Sequence, residues 1–113
     1  MAGRFELKRA NGKEFFFMLI SETGEIAGKS EMYKAKANAQ KGIAAVKTNA
    51  PDPVRFKEPW RNNNGQWHFA LKARNGEVIL VSQGYSSEDG AMAAISTVQR
   101  AADGAPTRDM TKT

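Results

Sequence analysis

The sequence predicts an α+β fold, a tandem duplication of a three-stranded antiparallel meander followed by one helix (βββα). The two copies are expected to form a pseudo-twofold, two-layer arrangement around one shared core. Three observations predict it. Laid over one another at an offset of 52, residues 14–50 and 66–102 share ten identities, among them Phe17/Phe69, Gly24/Gly76, Ser30/Ser82, Tyr33/Tyr85 and Ile43/Ile95. Within each copy, apolar residues first alternate at the period of a half-buried strand and then recur at helical spacing. Between the alternating stretches stand Asn11-Gly12, Thr23-Gly24, Asn64-Gly65 and Asn75-Gly76, residues that supply the backbone conformations of tight hairpins.

Element by element, Phe5 to Lys8 alternates apolar and polar, and Phe15, Phe17 and Leu19 set one apolar face on a second strand. Glu25 to Ser30 gives the third. The second copy repeats the plan with Arg55–Glu58, Trp67/Phe69/Leu71 and Glu77–Ser82. Ala39, Gly42, Ile43, Val46 and Ala50 then form one stripe of a helix, and Ala91, Ala94, Ile95, Val98 and Ala102 reproduce it. The small residues of these stripes allow close approach to a sheet. Ser86 and Asp89 stand at capping-box spacing before the second helix, whereas Lys34-Ala35-Lys36 offers the first helix no cap. Pro51 and Pro53 follow the first helix, and Gly104 and Pro106 the second.

The organisation expected is repeat one over residues 1–53 and repeat two over 54–110, with 103–113 a small, polar, flexible tail in which Thr107–Met110 offers a further short strand. One βββα unit alone buries little surface, so the two should share a core.

Composition bounds the function. The chain has 113 residues, no cysteine and one histidine. Disulfide scaffolds, thiolate metal sites, cysteine nucleophiles and His-rich metal sites are thereby excluded. No apolar run reaches the roughly 18–20 residues of a membrane span, and the start lacks a signal-peptide core, so a cytoplasmic protein without a membrane partner is expected. Seventeen Lys and Arg against twelve Asp and Glu give a net charge of +5, which permits an anionic partner. The first fifty residues hold nine basic against five acidic side chains, the remainder eight against seven.

The segments Met1-Ala2-Gly3-Arg4-Phe5-Glu6-Leu7, Ser30-Glu31-Met32-Tyr33-Lys34-Ala35-Lys36-Ala37 and Lys41-Gly42-Ile43-Ala44-Ala45-Val46-Lys47 resemble the first half of the YegP-like proteins. Asn63-Asn64-Gly65, Phe69-Ala70-Leu71-Lys72-Ala73 and Ser82-Gln83-Gly84-Tyr85 resemble their second half. The resemblance runs from Met1 to about Met110. It implies a β(3)-α-β repeat with a shared sheet and exchanged terminal strands, the strand near Val54–Pro59 being shared between repeats and Thr107–Met110 being terminal. Ala94-Ile95 departs from the Gly-Ile pair usual in the family, and Ser87-Glu88-Asp89-Gly90 stands in place of a basic stretch. No catalytic residue, metal or cofactor is implied.

The candidate chemistry is sparse. His68 lies between Trp67 and Phe69, which alternation turns the other way, so it faces outward as a general base, a base-stacking residue or a half-exposed strand residue. The Ser-x-x-Tyr pairs Ser30/Tyr33 and Ser82/Tyr85 offer hydroxyls to a polar ligand, or serines that cap strand ends beneath packed tyrosines. Gly24 and Gly76 lead into strands, where a phosphate cradle needs a helix. No nucleophile, acid and base can be grouped, so no enzyme is expected.

The outward sheet face is the remaining candidate, with Arg4, Glu6, Lys8, Phe16, Met18, Ile20, Ala27 and Lys29 from repeat one. Repeat two adds Arg55, Lys57, His68, Ala70, Lys72, Ile79 and Val81, and Trp60 in the following turn extends the face. Three readings follow. An interaction module would dock a protein partner or a second copy through Phe16, Met18, Trp60 and His68. A weak nucleic-acid binder would use Arg4, Lys8, Lys29, Arg55, Lys57 and Lys72. An enzyme or carrier would hold a small anionic ligand near Tyr33 and Tyr85.

Overall fold

The computed structural model describes residues 3–111. Repeat one supplies β1 (Arg4–Arg9), β2 (Phe15–Ile20), β3 (Ile26–Lys29) and α1 (Lys36–Asn49). A 3-10 turn at Pro53–Arg55 leads into β4 (Phe56–Arg61), β5 (Trp67–Lys72), β6 (Val78–Val81), α2 (Glu88–Ala102) and β7 (Thr107–Asp109). All strands join one seven-stranded sheet in the order β4-β5-β6-β3-β2-β1-β7. The hairpins close where the sequence places its glycines; Gly24 and Gly76, for example, hold φ of 91° and 88° at matched positions.

Both helices lie on one face of this sheet. Phe5, Leu7, Phe17 and Leu19 from the first half and Phe69, Leu71 and Leu80 from the second point to that face. With the helical stripes Ala39/Ile43/Val46 and Ala91/Ala94/Val98 they form a single buried cluster. Each helix crosses to the other repeat: α1 packs on β1 and β2 and reaches β5 and β6, while α2 packs on β4 and β5 and reaches β1, β2 and β3.

The two half-sheets meet between β3 and β6 through one residue pair, Lys29 with Val81. Beyond it the strands stop, for a reason that both repeats share. The Ser30 hydroxyl accepts from the Phe17 amide at 2.9 Å, and the Ser82 hydroxyl accepts from the Phe69 amide at 2.9 Å. A side-chain oxygen thus stands in for the backbone carbonyl, and the chain leaves the sheet there. It returns at Tyr33 and Tyr85, which bridge Phe15 and Trp67.

At the seam the duplication is not symmetric. Gly28 and Leu80 occupy equivalent positions in the repeats, and a Cβ on Gly28 would lie 2.6 Å from Leu80 Cγ. Leucine in both copies would place two side chains in one space; leucine opposite glycine fills it once.

Three details depart from the sequence reading. Ile20 pairs with Ile26 and Leu19 with Gly28, so Ala27 is a bulge residue, and Ile79 is the counterpart between Leu71–Leu80 and Lys72–Val78. Both belong to the core, not the outward face. The extra residue breaks the alternation on which their outward assignment rested. The first strand of repeat two starts at Phe56 and runs through Trp60, with a bulge at Glu58–Pro59 that accommodates a residue lacking an N–H. That strand, β4, follows α1 of repeat one and pairs at the sheet edge with β5 of repeat two, as β7 follows α2 and pairs with β1. Helix α2 is capped by Ser87, whose hydroxyl accepts from Gly90 N at 3.0 Å, one position after the expected Ser86, while α1 begins at Ala35 without a side-chain cap.

Residues 103–111 of the expected tail are drawn onto the sheet, whereas 112 and 113 lie outside the described residues. Thr107, Arg108 and Asp109 pair in parallel with Phe5, Glu6 and Leu7, and Ala105 is buried. Lys36, at the start of α1, and the Thr111 hydroxyl both donate to the Asp109 carboxylate. Among the described residues no helix is long and apolar enough to cross a membrane.

Two outcomes are expected. Gly28→Ala should destabilise by about 1–3 kcal/mol through overpacking, and Leu80→Ala by about 2–5 kcal/mol through the cavity it leaves. In denaturant titrations the double variant should lose less than the sum, since removing Leu80 makes room for the added methyl; strict additivity would show that the two do not compete for that space.

The hydrogen bond from Lys36, followed by those from Thr111, holds the Asp109 carboxyl well below the usual carboxylate range. A depressed carboxyl contributes above its unfolded value and loses that contribution as pH falls through its folded one. The β7 amides should therefore keep their exchange protection as pH falls through about 4, the usual aspartate value, and lose it only well below. Asp109→Asn should lose protection already at neutral pH.

Candidate macromolecule-binding face

With both helices on one side, the other side of the sheet carries no layer. Strand pairing sets a row across it: Lys57, Ala70, Val81, Lys29, Met18, Glu6 and Arg108. Two aromatic groups flank the row. Trp60 and His68 are cross-strand partners stacked at 6.0 Å between ring centroids and 26° between planes, and the Lys57 ammonium lies 5.0 Å from the Trp60 centroid. On the other half the Lys29 ammonium lies 4.9 Å from the Phe16 centroid. These distances suit cation–π attraction.

The predicted side chains divide into groups. Phe16, Met18, Trp60 and His68 are on this face and half-buried. Lys29 and Lys57 are exposed over aromatic rings, and Lys72 is half-buried opposite Val78. Arg4 and Lys8 share one carboxylate, with Arg4 Nε 2.9 Å and Lys8 Nζ 3.7 Å from Glu6. Arg55 is not on the face at all. It ends the 3-10 turn, 3.6 Å from Asp52, because Pro53 starts that turn where alternation suggested a strand.

His68 is fixed at both ring nitrogens. The Asn62 side-chain oxygen accepts from the Asn64 and Gln66 amides, which turns its NH2 toward the ring, 2.8 Å from Nε2. Nε2 is therefore the acceptor, and Nδ1–H donates to the Ser82 carbonyl at 3.2 Å. The imidazole thus ties the first hairpin of repeat two to the end of β6 and supports the Trp60 ring.

The most exposed apolar side chains of the face lie at its centre. Ile26, Met32, Val78 and Val81 are each 36–42% exposed, around the seam where β3 and β6 part. Met32, Val78 and Val81 line a groove of about 440 Å³ with Lys29, Glu31 and Gln83. Sequence reading passed over Met32 and Val78. The signal available for them was Ser30 and Ser82, whose strand-ending role marks where the sheet opens.

On the helix side, Tyr33 stacks on Phe17 and Tyr85 on Phe69, each at 13° between ring planes. Burial, then the nearby Glu31 and Glu77 carboxylates, push the Tyr33 phenol up; burial and Glu25 do the same to Tyr85. Carboxylates beside both phenols disfavour the small anion envisaged there. Among the described residues no three His, Asp or Glu side chains gather as a metal ion would require.

A family model described as "Domain of unknown function (DUF1508)" matches the chain twice, at residues 10–56 and 62–109. A UPF0339 protein of Pseudomonas aeruginosa is 45% identical over 101 residues, covering 89% of this chain and 91% of that one. The UPF0339 protein YegP of Yersinia pestis is 40% identical over 98 residues, 87% of each chain. The solution NMR structure of yegP from E. coli, a protein of unknown function, superposes with a TM-score of 0.91 at 35% identity, over 100% of this chain and 97% of that one. That of a UPF0339 protein from Shewanella oneidensis gives 0.89 at 33%, over 98% and 93%. With the family model matched twice, a matching fold and identity along nearly its whole length, the chain belongs to the YegP-like DUF1508 family and carries two copies of its domain.

Proposed function

We propose that this chain is a small non-enzymatic binding module that docks a protein partner on the open face of its sheet. The observation that carries the reading is the apolar groove of Met32, Val78 and Val81 at the centre of a sheet face without a covering layer, bordered by Lys29. A partner suited to it presents an apolar anchor with acidic neighbours. Charge argues against a second copy of the same face, since Lys29, Lys57 and Lys72 would meet their own kind. A second reading, nucleic-acid binding, draws on Lys57 over Trp60, which sets a cation beside a ring able to stack a base.

Affinity capture with the wild type, Val81→Asp and Val54→Asp distinguishes these. Val54 is 82% exposed on the 3-10 turn, away from the face, so it controls for surface charge. A partner held by the wild type and by Val54→Asp but lost on Val81→Asp, at salt concentrations that screen surface charge, is the expected result. Equal capture by all three would contradict it. Fluorescence anisotropy with labelled single-stranded DNA tests the second reading. Binding that weakens steeply with salt and is lost on Lys57→Glu would favour nucleic acid over protein.

A further inference from the structure

The clearest divergence between the two repeats lies on the helix side of the seam. There, between β3 of repeat one and α2 of repeat two, a cleft of about 660 Å³ opens beside Tyr85. Gly84, Gly90 and Ala93 line it. At the equivalent positions repeat one carries Met32, Asn38 and Lys41, all larger. Around this cleft repeat two thus carries the smaller side chain at three places and the larger one at Ala94 and Thr97, which answer Gly42 and Ala45.

The chemistry of the walls is mixed. Ile26 and Ala94 supply apolar surface, and Ser21, Gln83, Tyr85 and Thr97 supply polar groups. The single formal charge in the lining is Glu25, which comes from the opposite repeat. Its position is set by the turn that bears it. Glu25 N donates to the Ser21 hydroxyl at 3.2 Å, Ser21 N donates to the Glu25 carbonyl at 2.8 Å, and Thr23 donates to one carboxylate oxygen at 3.2 Å. The carboxylate is close enough to push the Tyr85 phenol up, after burial. Arg100 lines an adjoining smaller recess of about 170 Å³ that shares Ser21, Glu25 and Thr97 with the cleft.

Repeat one shows what answers this arrangement. At the position of Ala93 repeat one carries Lys41, which lines a recess with Ala73, Arg74 and Asn75 of the turn before Glu77 of repeat two. Repeat one thus carries a lysine at the helix position where repeat two has a methyl group and a cleft.

We infer that the Tyr85 cleft is a binding site for a small organic cation, an alkylammonium or alkylguanidinium group, held by Glu25 with its stem along Ile26 and Ala94. An ammonium there would donate a charge-assisted hydrogen bond to a carboxylate already oriented by Thr23. Anions are disfavoured by the same carboxylate. The cleft opens toward α2 and meets the open face at the seam, where Ile26 reaches it from that face and Gln83 lines both openings.

Heteronuclear NMR titration of the full chain tests it with n-butylammonium chloride as the probe and sodium butyrate at matched ionic strength as the control. Butylammonium should shift the amides of Gly84, Gly90 and Thr97 saturably, and butyrate should not. Glu25→Gln should raise the Kd at least about tenfold, as expected when a charge-assisted hydrogen bond is removed. Ala93→Lys, which copies Lys41, should block the probe while keeping the spectrum of a folded chain; it also decides the matter if Glu25→Gln disturbs the turn. No saturable shift, equal shifts with butyrate, or unchanged binding in Ala93→Lys would overturn the assignment.

Discussion

A single backbone pairing, Lys29 with Val81, joins the two halves of the sheet. The rest of the molecule is arranged around that narrowness. Hydrogen bonds across the seam are too few to hold the halves, so cohesion falls to the layer above, where α1 reaches β5 and β6 and α2 reaches β1, β2 and β3. Leu80 seated over Gly28 fills the space on the axis. The helices and that one leucine make the two repeats a single hydrophobic body. Fully burying each large apolar side chain contributes about 1.5–3 kcal/mol, far more than one pairing of the ladder provides.

The same narrowness creates the surfaces to which function can attach. Because Ser30 and Ser82 take over the backbone's acceptor role, the chain leaves the sheet on both sides of the seam. One consequence is the apolar groove on the open face, and another is the cleft beside Tyr85 on the helix side. Charge is distributed unevenly over these surfaces. Glu6 engages Arg4 and Lys8, and Asp52 engages Arg55, so three of the basic side chains are held beside the chain's own carboxylates. Lys29 and Lys57 instead lie over aromatic rings and remain in water.

The sequence displayed its repeat, its hairpins and its helical stripes openly, because each is a local pattern: a glycine at a turn, an alternation, an i, i+3, i+4 spacing. What it concealed depends on pairing between distant segments. Ala27 and Ile79 read as outward only while alternation is unbroken, and the bulges opposite Leu19 and Leu71 turn them into the core. Trp60 read as a turn residue beyond Glu58, and the β4 bulge keeps it and Pro59 in the strand. The partners of Arg4, Lys8 and Arg55 could not be seen without geometry, so a basic face looked more basic than it is. Of the site, the half-buried aromatic flank was legible from alternation. Its exposed centre at Met32 and Val78 was not, since it exists only where two repeats come apart.

Two repeats joined by one pairing behave as one folding unit because their helices cross the seam. Native-state hydrogen exchange across a denaturant series tests this most directly. The most protected amides of β2 and α1 in repeat one and of β5 and α2 in repeat two should converge on one opening free energy with one denaturant dependence. Convergence on two separate values, with repeat two opening while β1 and β2 stay protected, would contradict it and show the repeats to be independent bodies that merely touch.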